Sequence, residues 1–280
     1  MEKLTDIKQK ALKAIQIRRD ILIMLEKAGS GHTGGSLSIV EILVALYYGN
    51  MNINPKKSNW RERDKFILSK GHGCPALYAV LADIGFFPKE ELRTLRKLGS
   101  RLQGHPQLGL PGIEISSGSL GQGLSVSIGF ALADRMDGTL SKVYCLMGDG
   151  ETNEGQVWEA AMTAAHYKLD SLCGIIDFNK LQIDGFCCEV MDLGEYKKKW
   201  ETFGWYTVEV DGHDLNELDK AIKETKKIKG KPQMIIAHTV KGKGVSFIEN
   251  KAGWHGVAPK PEELEKALKE LDIAEKQLAG

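Results

Sequence analysis

An α/β protein with a mostly parallel sheet, covered by helices on both faces, is what this chain predicts. Strand-like apolar runs alternate with helical patterns along its length, the order that builds parallel sheets. Residues 142–179 form a strand–turn–helix–strand unit, in which ligands sit outside the carboxyl ends of the strands. Hydrophobic residues make up 42% and charged ones 27%, ordinary for a soluble globular protein. The 280 residues suffice for one large α/β domain or two modest ones, and the expectation is a single domain over 1–280.

Leu4 to Ala28 reads as one long helix. Ile7, Ala11, Ala14, Ile15, Ile21, Leu22 and Leu25 recur on one face at helical intervals, and the pattern stops at Gly29. Gly29 to Ser36 holds glycines at 29, 31, 34 and 35 and reads as exposed, irregular backbone before a helix from Leu37 to Tyr48. Phe66 to Ser69 is a strand, and Cys74 to Ile84 a helix with Pro75 tolerated in its first turn. Gln103-Gly-His-Pro106 lies in a long loop. Gly118 to Gly123 opens a helix from Leu124 to Met136, whose N-terminus could hold an anion or a polar ring. Lys142 to Met147 is a buried strand, Glu151 to Lys168 a helix, and Leu172 to Asp177 a second buried strand. The rest alternates: helix Leu193–Phe203, strand Tyr206–Val210, helix Leu215–Lys227, strand Gln233–His238 and helix Pro261–Leu278.

A net charge of +1 gives no global field toward nucleic acid or membrane. Lys223, Lys226, Lys227, Lys229 and Lys231 cluster without interleaved aromatics, which fits a solvated helix end. None of the five cysteines forms a Cys-x-x-Cys pair, and Cys145 and Cys173 sit inside strand patterns as inert core. That usage fits a reducing cytoplasm. No signal-like segment and no run long enough to span a bilayer is present.

The chemistry gathers at turns. Gly148-Asp149-Gly150 follows one strand and Asn179 ends the next, so both side chains can face one crevice. A carboxylate, an amide oxygen and a main-chain carbonyl are hard ligands suited to Mg²⁺ or Ca²⁺. An isolated Gly-Asp-Gly would be a surface turn; the strand before it and the amide at the next strand end argue otherwise. His32, His72, His105 and His255 each sit beside glycine in a loop or at a strand end. Their spacings lack the close pairs of structural zinc, and Lys241-Gly-Lys-Gly244 lacks the rest of a Walker loop.

As a set, these segments resemble the N-terminal, diphosphate-binding domain of transketolase. They are Ser30-Gly31-His32, Lys70 to Gly73, Gly104-His105-Pro106, Gly118 to Gly123, Gly148 to Gly155, Asn179 to Gly185 and Trp254-His255-Gly256. Gly-Asp-Gly followed about thirty residues later by Asn is the thiamine diphosphate motif, with Phe178 where many members have a further Asn. The resemblance implies a thiamine diphosphate-binding fold in which Asp149, Asn179 and the Leu181 carbonyl hold Mg²⁺, or Ca²⁺ or Mn²⁺, against the cofactor. Gly150, Ile183 and the Gly118-Ser119-Leu120 turn would contact the cofactor. His72 and His255 would approach the diphosphate and the reacting centre. His32, His105 and His255 would bind sugar hydroxyls and move protons. Glu154 and Glu159, on the helix after Gly-Asp-Gly, would face the partner active site, though a reading as solvated helix charges stays open.

The implied reaction is two-carbon ketol transfer between sugar phosphates, as in the pentose phosphate pathway. Full transketolases continue with a pyrimidine-binding domain that supplies the glutamate needed at the aminopyrimidine. The expectation is therefore the first subunit of a split transketolase, inactive alone and working in a heterotetramer with a C-terminal subunit. Val157, Ala160, Ala161 and Ala164 would suit helix packing against that neighbour. A 2-oxo acid dehydrogenase subunit, a deoxyxylulose phosphate synthase and a non-catalytic scaffold are the rivals. The first would not need His32 and His105, the second is normally one long chain, and the third should have eroded motifs.

Overall fold

A computed structural model describes residues 3–183 and 185–280. Among these residues the sheet has five strands: β1 (Lys65–Leu68), β2 (Val143–Gly148), β3 (Leu172–Phe178), β4 (Tyr206–Asp211) and β5 (Gln233–His238). Their order is β1-β2-β3-β5-β4 and every pairing is parallel. The helices are α1 (Ile7–Ala28), α2 (Thr33–Leu37), α3 (Val40–Val44), α4 (Cys74–Asp83), α5 (Gln122–Met136), α6 (Gly155–His166), α7 (Cys187–Val190), α8 (Tyr196–Thr202), α9 (Leu215–Thr225) and α10 (Pro261–Ala279).

Side-chain alternation in the strands sorts the core into two layers. Tyr144, Leu146, Cys173, Ile175, Ile235 and Ala237 join the cluster that also holds residues of α1, α3, α4, α9 and α10. Val143, Cys145, Met147, Leu172, Ile176, Met234 and Ile236 join the opposite cluster, with residues of α5, α6 and α8. Both faces are thus covered, which is why β1, β2 and β3 read as apolar runs without alternation. Each fully buried Ile or Leu contributes roughly 1.5–3 kcal/mol. Truncating Ile176 to Ala would cost about 2–5 kcal/mol.

Local signals set the ends of α1. The Asp6 side chain accepts from the Lys8 N–H at its start, and Gly29 closes it with φ 65°, a left-handed cap that glycine adopts without strain.

Four expectations need correction. The Gly29–Ser36 stretch is exposed only at its start, at Gly29: residues 33–36 are buried and already helical. Its glycines allow close packing, since a Cβ on Gly34 would lie 3.0 Å from the Trp254 carbonyl and one on Gly35 3.3 Å from the His72 ring. The single helix expected from Leu37 breaks after α2, and α3 passes into a π-helical turn at Ala45–Asn50. The helix expected from Glu151 starts only at Gly155, because a 3₁₀ turn at Gly150–Asn153 turns Glu151 inward. Glu154 is therefore the extended residue before α6 rather than part of it. Finally, Val157, Ala160, Ala161 and Ala164 are buried in this chain's own core, beside Leu124 and Ile128 of α5, and offer nothing to a neighbour.

Candidate active site

The carboxyl ends of β1, β2, β3 and β5 open into one cleft of about 350 Å³. It gathers Asp149 and Gly150 from the turn after β2, Asn179, Leu181 and Ile183 from the segment after β3, and Gly118 and Leu120 from the turn before α5. It also gathers His32, His72, His105 and His255, the four histidines that sequence spacing singled out. Ser119, exposed, and Glu159, exposed on α6, do not line it, whereas Glu154 does.

Asp149 lies at the floor, 4% exposed. Its Oδ1 accepts from the Gly150 N–H at 2.9 Å and its Oδ2 from the Lys180 N–H at 2.5 Å. Among the described residues no cationic side chain pairs with it. Burial, then the neighbouring Asp177 charge, raise its pKa to about 6. The Asn179 Oδ1 accepts from the Leu181 N–H at 3.1 Å, which fixes the turn that brings the Leu181 carbonyl to the cleft.

The histidines form a wall. The His32 ring stands 5.3 Å from His72, 6.1 Å from His105 and 5.5 Å from His255, and His72 stands 5.2 Å from His255. Burial, then the charge of Arg96, depress the His32 pKa to about 4; burial, then Lys241, do the same for His255. His72 is pushed well below its usual value by burial and Lys70, and His105 is lowered by burial and Arg96. All four rings are neutral at neutral pH, so each offers one nitrogen as a hydrogen-bond donor and the other as an acceptor.

Four residues here carried no role in the sequence reading. Lys70, 1% exposed, donates to Asp177 and to the Gly35 carbonyl at 3.1 Å. Asp177, fully buried, also accepts from Ser38 Oγ at 2.7 Å, Asn179 Nδ2 at 2.8 Å and the Thr239 hydroxyl. Burial opposes its charge, yet Lys70 and these donors hold its pKa below the usual carboxylate range. Glu151 accepts from the Ser69 hydroxyl and from the N–H groups of Gly121 and Gly148, both at 2.9 Å, which ties the Gly118–Gly121 turn to the tip of β2. Lys241, 2% exposed, donates to His255 Nδ1 at 2.9 Å and lies 3.4 Å from the Leu181 carbonyl oxygen. Lys70 and Asp177 adjoin motifs that were legible, but no sequence pattern marks a lysine as buried, since most are exposed.

The loop after β5 is clamped from behind. Arg18 of α1 grips Glu41 of α3 through two hydrogen bonds, of 2.5 and 2.8 Å, and its Nε donates to the Lys243 carbonyl at 2.8 Å. His213 Nε2 accepts from the Val240 N–H at 2.8 Å, so its Nδ1–H donates to Glu41 Oε2 at 2.9 Å.

A doubly covered parallel sheet whose strand tips gather hard oxygens, buried lysines and neutral histidines defines an α/β protein with a polar, anion-accepting cleft. Residues 7–278 match the family model for the transketolase thiamine diphosphate binding domain, and the chain belongs to that family. It is 46% identical to a 6-deoxy-6-sulfo-D-fructose transketolase subunit of Clostridium sp. (strain MSTE9), over 91% of this chain and 94% of that one. It is 44% identical to an apulose-4-phosphate transketolase subunit from Phocaeicola vulgatus, over 91% and 90%. Human transketolase is 41% identical over 87% of this chain but only 39% of its own length. The crystal structure of the Campylobacter jejuni transketolase superposes with a TM-score of 0.87 at 31% identity, over 96% of this chain and 45% of that one. The chain therefore spans less than half of these full-length transketolases and nearly all of the subunit-type relatives.

Proposed function

We propose that this chain, as one diphosphate-binding domain over residues 1–280, is the first subunit of a split thiamine diphosphate-dependent transketolase. It transfers a two-carbon ketol unit between sugar phosphates together with a C-terminal subunit. The observation that carries the reading is the cleft itself: a buried carboxylate without a cation faces a wall of four neutral histidines.

The residues present fit the cofactor and its metal. His32 Nδ1, Asn153 Oδ1 and Gln182 Nε2 are buried around the cleft with no hydrogen-bond partner among the described residues, as expected where a polar ligand completes the shell. Asp149, Asn179 and the Leu181 carbonyl are the oxygen set for Mg²⁺, with Ca²⁺ or Mn²⁺ as substitutes. Lys70 and Lys241 bring positive charge to the same end, where a diphosphate would lie. Gly118, Leu120, Gly150 and Ile183 offer backbone and apolar contact to the rings, with Ser119 at the rim.

When bound, thiamine diphosphate supplies the nucleophilic carbon and the electron sink for carbon–carbon cleavage. The protein's own share is positioning and proton transfer. His72 and His255 would approach the diphosphate and the reacting centre. His32, His105 and His255 hold the sugar hydroxyls and pass protons as neutral imidazoles. Glu154, exposed at the cleft's edge before α6, and Glu159, exposed on α6, would face the partner active site. The reading carries with it a heterotetramer, two copies of each subunit, in cytoplasmic carbohydrate metabolism such as the pentose phosphate pathway. Its support is that the relatives matching nearly end to end are themselves transketolase subunits.

The test is to saturate the purified chain with thiamine diphosphate and Mg²⁺ and follow ketol transfer from xylulose 5-phosphate to ribose 5-phosphate. 6-Deoxy-6-sulfofructose and apulose 4-phosphate belong on the donor panel, because the subunit-type relatives are named for them. Turnover should appear only when the C-terminal subunit is added, and should saturate near equal stoichiometry. Substantial turnover by the isolated chain would overturn the two-subunit reading.

A further inference from the structure

Lys241 is held before any ligand arrives. On one side the Val240 N–H is bound by His213, and on the other the Gly242 N–H donates to the Gly34 carbonyl at 3.0 Å. The Lys241 carbonyl itself accepts from the Asn250 N–H at 2.9 Å. The side chain runs past Gly34, where a Cβ would stand 3.1 Å from Lys241 Cγ. Its ammonium then meets His255 Nδ1 at 2.9 Å. An ammonium has donors only, so the imidazole nitrogen facing it must be the acceptor. A ring nitrogen that accepts carries no proton, and a neutral imidazole then carries its proton on the other nitrogen.

We propose that Lys241 is a positioning residue that fixes His255 in the Nε2–H tautomer, making it a hydrogen-bond donor into the cleft. The neutral ring this needs agrees with the depression of the His255 pKa to about 4, by burial and then Lys241. His255 is thereby suited to donate to a phosphate, carbonyl or sugar oxygen. His32 differs: its Nδ1 has no partner among the described residues, so either tautomer remains open to it. This difference between two rings 5.5 Å apart rests on the transketolase reading for its purpose, but not for its geometry.

The experiment is ¹⁵N–¹H spectroscopy of histidine side chains in the full chain at pH 7, without metal, cofactor or partner. His255→Gln assigns the signals. Wild-type His255 should show an unprotonated Nδ1 and a protonated Nε2. Lys241→Arg should keep that pattern, and Lys241→Met should mix the two tautomers. With the partner subunit, Lys241→Met should lower kcat/KM about 10–100-fold, as loss of a histidine-orienting partner does elsewhere, with Lys241→Arg recovering most of it. A protonated Nδ1 in the wild type overturns the proposal, as does an unchanged pattern in Lys241→Met. Should that variant not fold, the wild-type spectrum still decides the tautomer, and Lys241→Ala serves as the second truncation. The spectrum is read without turnover, so it can fail while transketolase activity stands, or hold where that activity is absent.

Discussion

Asp149 and Asp177 sit at the C-terminal ends of neighbouring strands, both buried, and they differ in everything that decides their role. Asp177 has a buried ammonium and three further side-chain donors against it, and its charge is favoured. Asp149 has two backbone N–H groups and, among the described residues, no paired cation, and its charge is disfavoured. Two carboxylates in nearly the same place thus separate into one that completes the fold and one that is available to a ligand. The available one is recognised by what it lacks.

Substitution at Asp177 should produce the largest effect. Asp177→Ala leaves Lys70 buried and uncompensated, and stability should fall by about 3–5 kcal/mol in urea denaturation. A loss below about 1 kcal/mol would erase the contrast. Asp149→Ala should do the reverse. The fold should stay within about 1 kcal/mol of wild type, as a buried charge without a cation is removed. Metal-dependent thiamine diphosphate binding by the assembled enzyme should be lost, and unchanged affinity by calorimetry would remove Asp149 from the metal site.

Acidity sharpens the same comparison. The raised pKa of Asp149 means its contribution to stability is present below its unfolded value near 3.8 and is lost as pH rises through about 6. Metal binding requires the ionised form, so Mg²⁺ affinity should fall roughly tenfold per pH unit below about 6. Asp177, depressed, contributes stability above its unfolded pKa that is lost only as pH falls through its lower folded value. A flat Mg²⁺ affinity between pH 4 and 6, measured by calorimetry, would contradict the assignment for Asp149. The smallest effect is expected at the rim. His105→Ala should depress kcat/KM for sugar phosphates about tenfold, the worth of one hydrogen bond, with thiamine diphosphate affinity nearly unchanged. A change confined to cofactor affinity would reverse its role.

Asp149 was legible in the sequence because local pattern determines it: a strand, a tight glycine turn, and an amide at the next strand end. The four histidines were legible for a similar reason, each being flanked by glycine. Asp177 was read only as the end of a strand. Its meaning comes from Ser38, Lys70 and Thr239, which lie 139, 107 and 62 positions away along the chain. Lys241 was weighed only as part of a Walker loop and set aside, its contact with Leu181 spanning 60 positions. The late start of α6 was hidden too, because Glu151 is a good helix former that tertiary contacts with Ser69 and Gly121 pull out of the helix. Periodicity found the strands and most helices, but could not tell that the small face of α6 meets α5 rather than another chain.

The clamp behind residues 240–243 has a consequence for anyone who would treat this active site as a transferable part. Those residues look like a short loop that could be lifted into another scaffold. Their conformation is specified by Arg18, Glu41 and His213, drawn from α1, α3 and the turn before α9. A graft of the loop alone would carry Lys241 without the groups that aim it, so the smallest portable unit includes those three distant supports.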